Sequence, residues 1–308
     1  MAVFLFALAG SLAQLVDGTL GMGFGITSST FLVFLGATPV AASAAVHFAE
    51  LGTTFASGAS HWRAGNVDKR VVKWLGSGGA LGAFLGATVL SHVSLSSAKT
   101  GMAAILLLLG LVLIARFGLD LRLIPQIKGR PRAKFLIPLG VFAGFTDASG
   151  GGGWGPVTTP TLLGVSSHAH PRTVVGTVSA SEFLVSVFAS AGFILGAGTS
   201  GIDYRVIAGL LLGGVLMAPF AAMLAGRMPH APFGALIGGM VVFTNGRTVL
   251  LAAGVPGGFI PWFLLIVVVV ALAAARTAWN RERTAGVEHS FFEEAVDSPE
   301  PRDPRNDD

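Results

Sequence analysis

A run of about 20 apolar residues spans the hydrocarbon core of a bilayer as one helix. This chain of 308 residues has seven such runs, near 40–60, 73–92, 98–116, 172–196, 206–226, 232–253 and 258–277. In lipid every backbone N–H and C=O must be satisfied inside the protein, which leaves helices as the only solution for runs of this length. The composition agrees: 52% of residues are hydrophobic and 12% charged, against about 25% charged in a soluble domain. The expected fold class is therefore an all-α polytopic membrane protein. Because the start, MAVFLFALAG, carries no Lys or Arg, it does not read as a secretory leader, and the first apolar segment is expected to stay in place.

Two further apolar stretches, 2–36 and 135–166, are too long for one straight crossing at about 1.5 Å per residue. Each is interrupted near its middle by glycines, GTLGMGFG at 18–25 and SGGGGWGP at 149–156. Each reads as two half-length helices joined by irregular backbone, which is tolerated at membrane depth only where protein or a water-filled cavity surrounds it.

The halves of the chain align. At an offset of 130, Asp17, Gly21, Gly23, Phe24 and Gly25 meet Asp147, Gly151, Gly153, Trp154 and Gly155. At 132, Pro39 and Glu50 meet Pro171 and Glu182; at 135, Asp68, Arg70 and Gly79 meet Asp203, Arg205 and Gly214. Of the seven acids before residue 281, six form repeat-related pairs and only Asp120 stands alone, which chance matching of common residues does not produce. The organisation expected is a first transmembrane repeat (1–117), a basic cytoplasmic loop (118–134), a second repeat (135–253), an additional transmembrane helix (254–280) and a disordered acidic tail (281–308). Each repeat holds one glycine-broken re-entrant or discontinuous pair plus three spans.

Positive-inside counting favours inverted repeats. If both broken stretches return to the side they entered, one face collects Arg63, Lys69, Arg70, Lys73, Arg116, Arg122, Lys128, Arg130, Arg132, Lys134, Arg172, Arg227, Arg276, Arg281 and Arg283, leaving Lys99, Arg205 and Arg247 for the other. The expected placement is the plasma membrane, with the N-terminus outside and the C-terminus cytoplasmic. Net positive charge here is topology and no sign of nucleic-acid binding.

A carboxylate at the bilayer centre costs about 2.5–3.5 kcal/mol, so Glu50 and Glu182, inside apolar spans, invite a function. Asp17 and Asp147 stand just before the glycine runs. They read equally as members of a proton or cation relay and as N-caps of the second half-helices. His47 lies one helical turn before Glu50, on the same face. Asp17, His47, Glu50, Asp147 and Glu182 are thus the candidate ion-coupling residues, with a proton or sodium as the ion.

The half-helices open with hydroxyls: Thr27, Ser28 and Ser29 in one, Thr158 and Thr159 in the other. Free N–H groups at a helix start favour an anion, and discontinuous helices at a repeat interface are where transporters place substrate. The candidate substrate residues are Gly21, Gly23, Gly25, Thr27, Ser28, Gly151, Gly152, Gly153, Trp154, Gly155, Thr158 and Thr159. The competing reading, close packing, suits Gly76, Gly78, Gly79, Gly82 and Gly86 better than four successive glycines. Phe24 and Trp154 read as packing rather than gates, His168 and His170 as solvated loop residues, and Arg63 and Arg247 as topological or snorkelling.

No G-x-x-x-x-G-K-[ST] sequence occurs, so no P-loop ATPase is encoded. The chain has no Cys, which excludes thiolate metal sites and disulfides. Asp17 and Asp147 could form an intramembrane protease dyad, but no Gly-x-Gly-Asp precedes either. Neither enzyme activity, cofactor nor metal is expected. A cation permease or channel using the carboxylates stays open as the alternative.

Five features carry a family likeness: the early stretch with Asp17 and GMGFG, Pro39 opening the next span, the basic loop at 63–73, the glycine-rich span at 76–86, and GVFAGFTDASGGGGWGPVTTPTLLG followed by HPRTVVGT. Over about 3–250 the chain resembles the sulfite exporter TauE/SafE family of permeases. The resemblance implies secondary transport of small sulfur-containing anions, sulfite or organosulfonates, with export as the direction. It implies substrate positions at the two glycine stretches. The partners expected are that anion, the lipid bilayer and the coupling ion; homodimer formation stays open.

Overall fold

The computed structural model describes residues 2–20, 22–121, 131–165, 171–198, 202–225 and 230–297. Gly21, Arg122, Lys128, Arg130, His168, His170 and Arg227 lie outside the described residues, as does 298–308. The elements are α1 (Ala2–Leu20), α2 (Phe24–Phe34), α3 (Pro39–Arg63), α4 (Lys69–Val71), α5 (Ser77–His92), α6 (Leu95–Leu113), α7 (Ala133–Gly150), α8 (Trp154–Val165), α9 (Pro171–Ala197), α10 (Tyr204–Ala225), α11 (His230–Ala252) and α12 (Ile260–Asp297). A π-helical turn, Val72–Gly76, joins α4 to α5, and a second, Ile114–Gly118, ends α6. No strand occurs among the described residues.

Five helices are long and apolar enough to cross a membrane: Lys69–His92, Leu95–Gly118, Thr173–Ala197, Ala231–Ala252 and Gly257–Arg281. At 25 residues, α3 has the length but carries His47, Glu50, Thr53 and Thr54 in its middle. Those polar groups are the reason it is not apolar throughout.

Both broken stretches form helix pairs with unequal limbs. Their first limbs have 19 (α1) and 18 (α7) residues, and the second limbs 11 (α2) and 12 (α8). The halves expected from the sequence are thus one near-full helix and one short return.

Glycines set the packing. A Cβ on Gly78, Gly82 or Gly86 would strike the backbone of Ile137, Val141 or Phe145 in turn, so α5 and α7 run parallel with backbones touching. In the same way Gly209 abuts Phe6, Gly213 abuts Ala7 and Gly214 faces Gln14, so α1 and α10 run parallel. Gly52 meets Leu211 and Thr53 meets Gly214, aligning α3 with α10. Gly58 meets Ala180 and Gly176 meets His61, which sets α3 antiparallel to α9; Gly76 meets Ser181 and Gly192 meets Ala87, which sets α5 parallel to α9. Thus α1, α3 and α10 run one way, and α5, α7 and α9 the other. The packing reading of Gly76, Gly78, Gly79, Gly82 and Gly86 matches this geometry.

Asp68 and Asp203, which meet at the offset of 135 in the sequence, are N-caps. Asp68 Oδ1 accepts from the N–H of Arg70 (3.0 Å) and Val71 (3.2 Å), and Asp203 Oδ1 from that of Arg205 (2.9 Å). The unpaired acid, Asp120, meets Arg281 at 3.4 Å. That guanidinium also donates to the carbonyls of Phe117 and Gly118 at 3.0 and 2.6 Å, closing the end of α6. With Ala271 against Gly239 and Ala274 against Gly118, these contacts dock α12 on α6 and α11. Helix continues to Asp297, so 281–297 is helical where the sequence reading expects a disordered tail. The Ala-, Arg- and Glu-rich run after 271 favours propagation of a helix already anchored.

Candidate substrate and ion-coupling site

The two glycine breaks meet. A Cβ on Gly152 would collide with the backbone of Gly25 and Ile26, and one on Gly155 would lie 2.8 Å from Met22 Cβ. The Ser29 hydroxyl donates to the Gly151 carbonyl. Gly151 ends α7 in the left-handed region (φ 72°), Gly152 follows at 152°, and Gly23 opens α2 at 127°. These angles let α7 turn into α8, and the turn rests on the start of α2.

Asp147 does two things. Its Oδ1 accepts from the N–H of Gly153 (2.6 Å) and Trp154 (3.0 Å), capping α8. Its Oδ2 lies 3.1 Å from His47 Nε2. Of the two readings left open by the sequence, the cap is realised, and the same carboxyl also joins an ionisable pair. Asp17 sits in the related place with a single longer contact, accepting from Phe24 N–H at 3.4 Å. The α8 start is therefore filled by a carboxylate, and Pro156 has no N–H to offer. An anion has fewer free backbone donors there than the sequence suggests.

His47 is fully buried. Its Nδ1 stands 2.7 Å from the Ser43 carbonyl, Ser43 Oγ donates to the Ala148 carbonyl at 2.6 Å, and its ring packs on Phe193 with centroids 5.9 Å apart. Glu50 is 2% exposed. It receives a 3.5 Å contact from Ser186 Oγ and lies against the first turn of α2, 3.1 Å from where a Gly25 Cβ would stand. Asp17 and Glu182 are partly exposed, and both lie within electrostatic reach of Glu50. The structure thus gathers all five candidate ion-coupling residues.

The ligand atoms of His47, Glu50 and Asp147 lie within 4.8 Å of one another. As a metal centre the set fits poorly, because His47 Nε2 is taken by Oδ2 and Asp147 Oδ1 by two N–H groups.

Hydroxyls complete the centre. Thr27, Ser28, Thr159 and Ser190 are buried (7%, 0%, 1% and 4% exposed), and their hydroxyls have no hydrogen-bond partner among the described residues. Buried polar groups are normally paired. Thr158, by contrast, donates to its own helix at Trp154 O (2.6 Å). Trp154, also among the candidate substrate residues, is buried, donates from Nε1 to Val178 O at 3.2 Å, and rests its ring on Gly79. Phe24 rests on Gly214. The sequence reading missed Ser43, Ser186, Ser190 and Phe193. A signal for two of them was present: Glu182, Ser186 and Ser190 form a polar stripe at four-residue spacing along an apolar helix.

The family model for the sulfite exporter TauE/SafE family matches residues 6–248. The chain belongs to the TauE/SafE family. It is a multi-pass membrane transporter of that type, and α12 lies beyond the shared region. A relative described as "Probable membrane transporter protein YtnM", from Bacillus subtilis (strain 168), is 46% identical over 246 residues, covering 80% of this chain and 82% of its own. No solved structure matches. The TauE/SafE match includes both glycine breaks and all five ionisable residues of the centre.

Proposed function

We propose that this chain is a secondary active transporter of small sulfur-containing anions, such as sulfite or organosulfonates, exporting them across the plasma membrane in exchange for energy from an ion gradient. The observation that carries the proposal is the set of buried, unpartnered hydroxyls of Thr27, Ser28 and Thr159 on two half-helices whose starts touch. Hydroxyl donors without partners suit the oxygens of an oxyanion, and the start of a helix adds a favourable field. Four carboxylates around the same place would repel an anion unless they hold cations, so the substrate and the coupling ion share one centre.

Contacts that an inverted arrangement of the two halves would produce support the reading. The paired aromatics Phe24 and Trp154 rest on the paired glycines Gly214 and Gly79, each on the glycine of the opposite half. The first limbs, α1 and α7, run in opposite directions, as they would if the two re-entrant pairs entered from opposite faces. With Arg63, Lys69, Arg70 and Arg116 all at the end where α3 and α6 finish, that end is cytoplasmic and the N-terminus is outside.

The test is uptake into proteoliposomes of labelled sulfite, sulfoacetate, taurine and acetate, with and without proton and sodium gradients. Sulfite or a sulfonate should move and acetate should not. If no anion moves under any gradient, the proposal is wrong. Thr159→Val provides a sharper check. Valine keeps the shape and removes an unpaired hydroxyl, so stability should hold or rise. One lost substrate hydrogen bond should raise the transport KM roughly tenfold. An unchanged KM would take Thr159 out of the substrate site.

The competing cation permease uses the same carboxylates. It would show cation flux that Glu50→Gln and Glu182→Gln abolish while anion flux is untouched.

A further inference from the structure

His47 and Asp147 are 100 residues apart in sequence and 3.1 Å apart in the fold, and their proton count follows from geometry alone. The Ser43 carbonyl can only accept, so Nδ1, 2.7 Å away, carries a hydrogen. Nε2 then faces Asp147 Oδ2. Two lone pairs cannot share that approach, so one proton lies between them. It sits either on the ring, giving imidazolium and carboxylate, or on the carboxyl, giving neutral imidazole and carboxylic acid. Both arrangements hold the same number of protons and are electrically neutral. Removing the proton leaves a buried negative charge opposite a lone pair, and the contact must open.

We propose that this pair is the coupling-proton site of the transporter and that the coupling ion is a proton rather than sodium. The claim rests on the transport reading above and extends it by naming the ion and its carrier. With its proton, the pair ties α3 to the α7–α8 turn, because the same carboxyl caps α8 through Oδ1. On release, the proton passes to Glu50, whose carboxylate oxygen lies within 4.8 Å, and the tie between α3 and the hairpin is reduced to the Ser43 hydroxyl on the Ala148 carbonyl. The other titratable groups facing the pair are Asp17 from α1 and Glu182 from α9; α2 and α8 carry none.

The opposite half has no counterpart. At the offset of 132 that relates Glu50 to Glu182, Ser179 stands where the first half has His47. Asp17 keeps only its single 3.4 Å contact. The proton is carried by one of two otherwise related half-sites.

Asp147→Asn tests this without dismantling the turn. Asparagine keeps an oxygen for the Gly153 and Trp154 N–H groups and turns a fixed N–H toward Nε2, imitating the proton permanently. The variant should fold, exchange labelled for unlabelled substrate across the membrane, and lose accumulation driven by a pH gradient. His47→Gln should also lose that accumulation, by removing the ring that shares the proton. Accumulation by either variant that responds to a pH gradient as the wild type does would overturn the proposal, as would wild-type transport driven by sodium alone. If the wild type fails even to exchange any anion, it is the transport reading that fails. Should neither variant fold, proton-transport current in wild-type vesicles decides: substrate flux without proton movement overturns the proposal, and coupled movement upholds it.

Discussion

Gly152→Ala should abolish recovery of folded, monodisperse protein in detergent. The added methyl would enter the backbone of Gly25 and Ile26 in α2, and neither side of that contact is a flexible side chain. The residue also sits at φ 152°, where L residues are rare. An unfavourable backbone region costs roughly 1–2 kcal/mol, and overpacking a close contact adds about 1–3 kcal/mol. Together, about 2–5 kcal/mol, they reach the lower end of the whole stability of a typical domain, about 5–15 kcal/mol, at a contact where the two hairpins meet. Gly36→Ala is the control. Gly36 has φ 94° but nothing within 4 Å of a Cβ, so its variant should lose about 1–2 kcal/mol and remain folded. Thermal unfolding followed by size exclusion separates the two. Equal behaviour would mean that the contact between the breaks contributes nothing.

Asp147→Ala should be the most damaging change among the four central carboxylates, and markedly worse than Asp17→Ala. Asp147 satisfies two backbone N–H groups and one imidazole. Losing the cap costs about 0.5–2 kcal/mol, and stranding a buried partner adds about 1–3 kcal/mol. Asp17 makes one contact at 3.4 Å, so its loss should cost about 1 kcal/mol or less. Melting temperatures of the two purified variants check the order; the reverse order would contradict the asymmetry between the half-sites.

Much of this architecture is legible in the sequence because lipid imposes a simple rule on length and polarity. All seven apolar runs appear as helices, five of them long and apolar enough to cross a membrane, and both breaks appear as interruptions at the expected places. Asp147 announces its cap by standing just before its glycine run. Other features depend on which distant segments meet, and no local pattern encodes that. His47 pairs with Asp147 rather than with Glu50, its neighbour on the same helix face. Trp154 finds Gly79, and Phe24 finds Gly214, across the boundary between halves. The helix past 280 rests on Arg281 reaching the carbonyls at the end of α6, a contact invisible to composition.

The central claim is that two broken hairpins enter from opposite faces and build one shared centre. The chain has no native cysteine, so single-cysteine variants report their side of the membrane to impermeant reagents without background. Ala37→Cys, after the first hairpin, should label from outside in intact cells. Arg132→Cys and Thr173→Cys, flanking the second hairpin, should both label only from the cytoplasmic side. Labelling of Ala37→Cys and Thr173→Cys from the same face would contradict the inverted arrangement and the shared centre built on it.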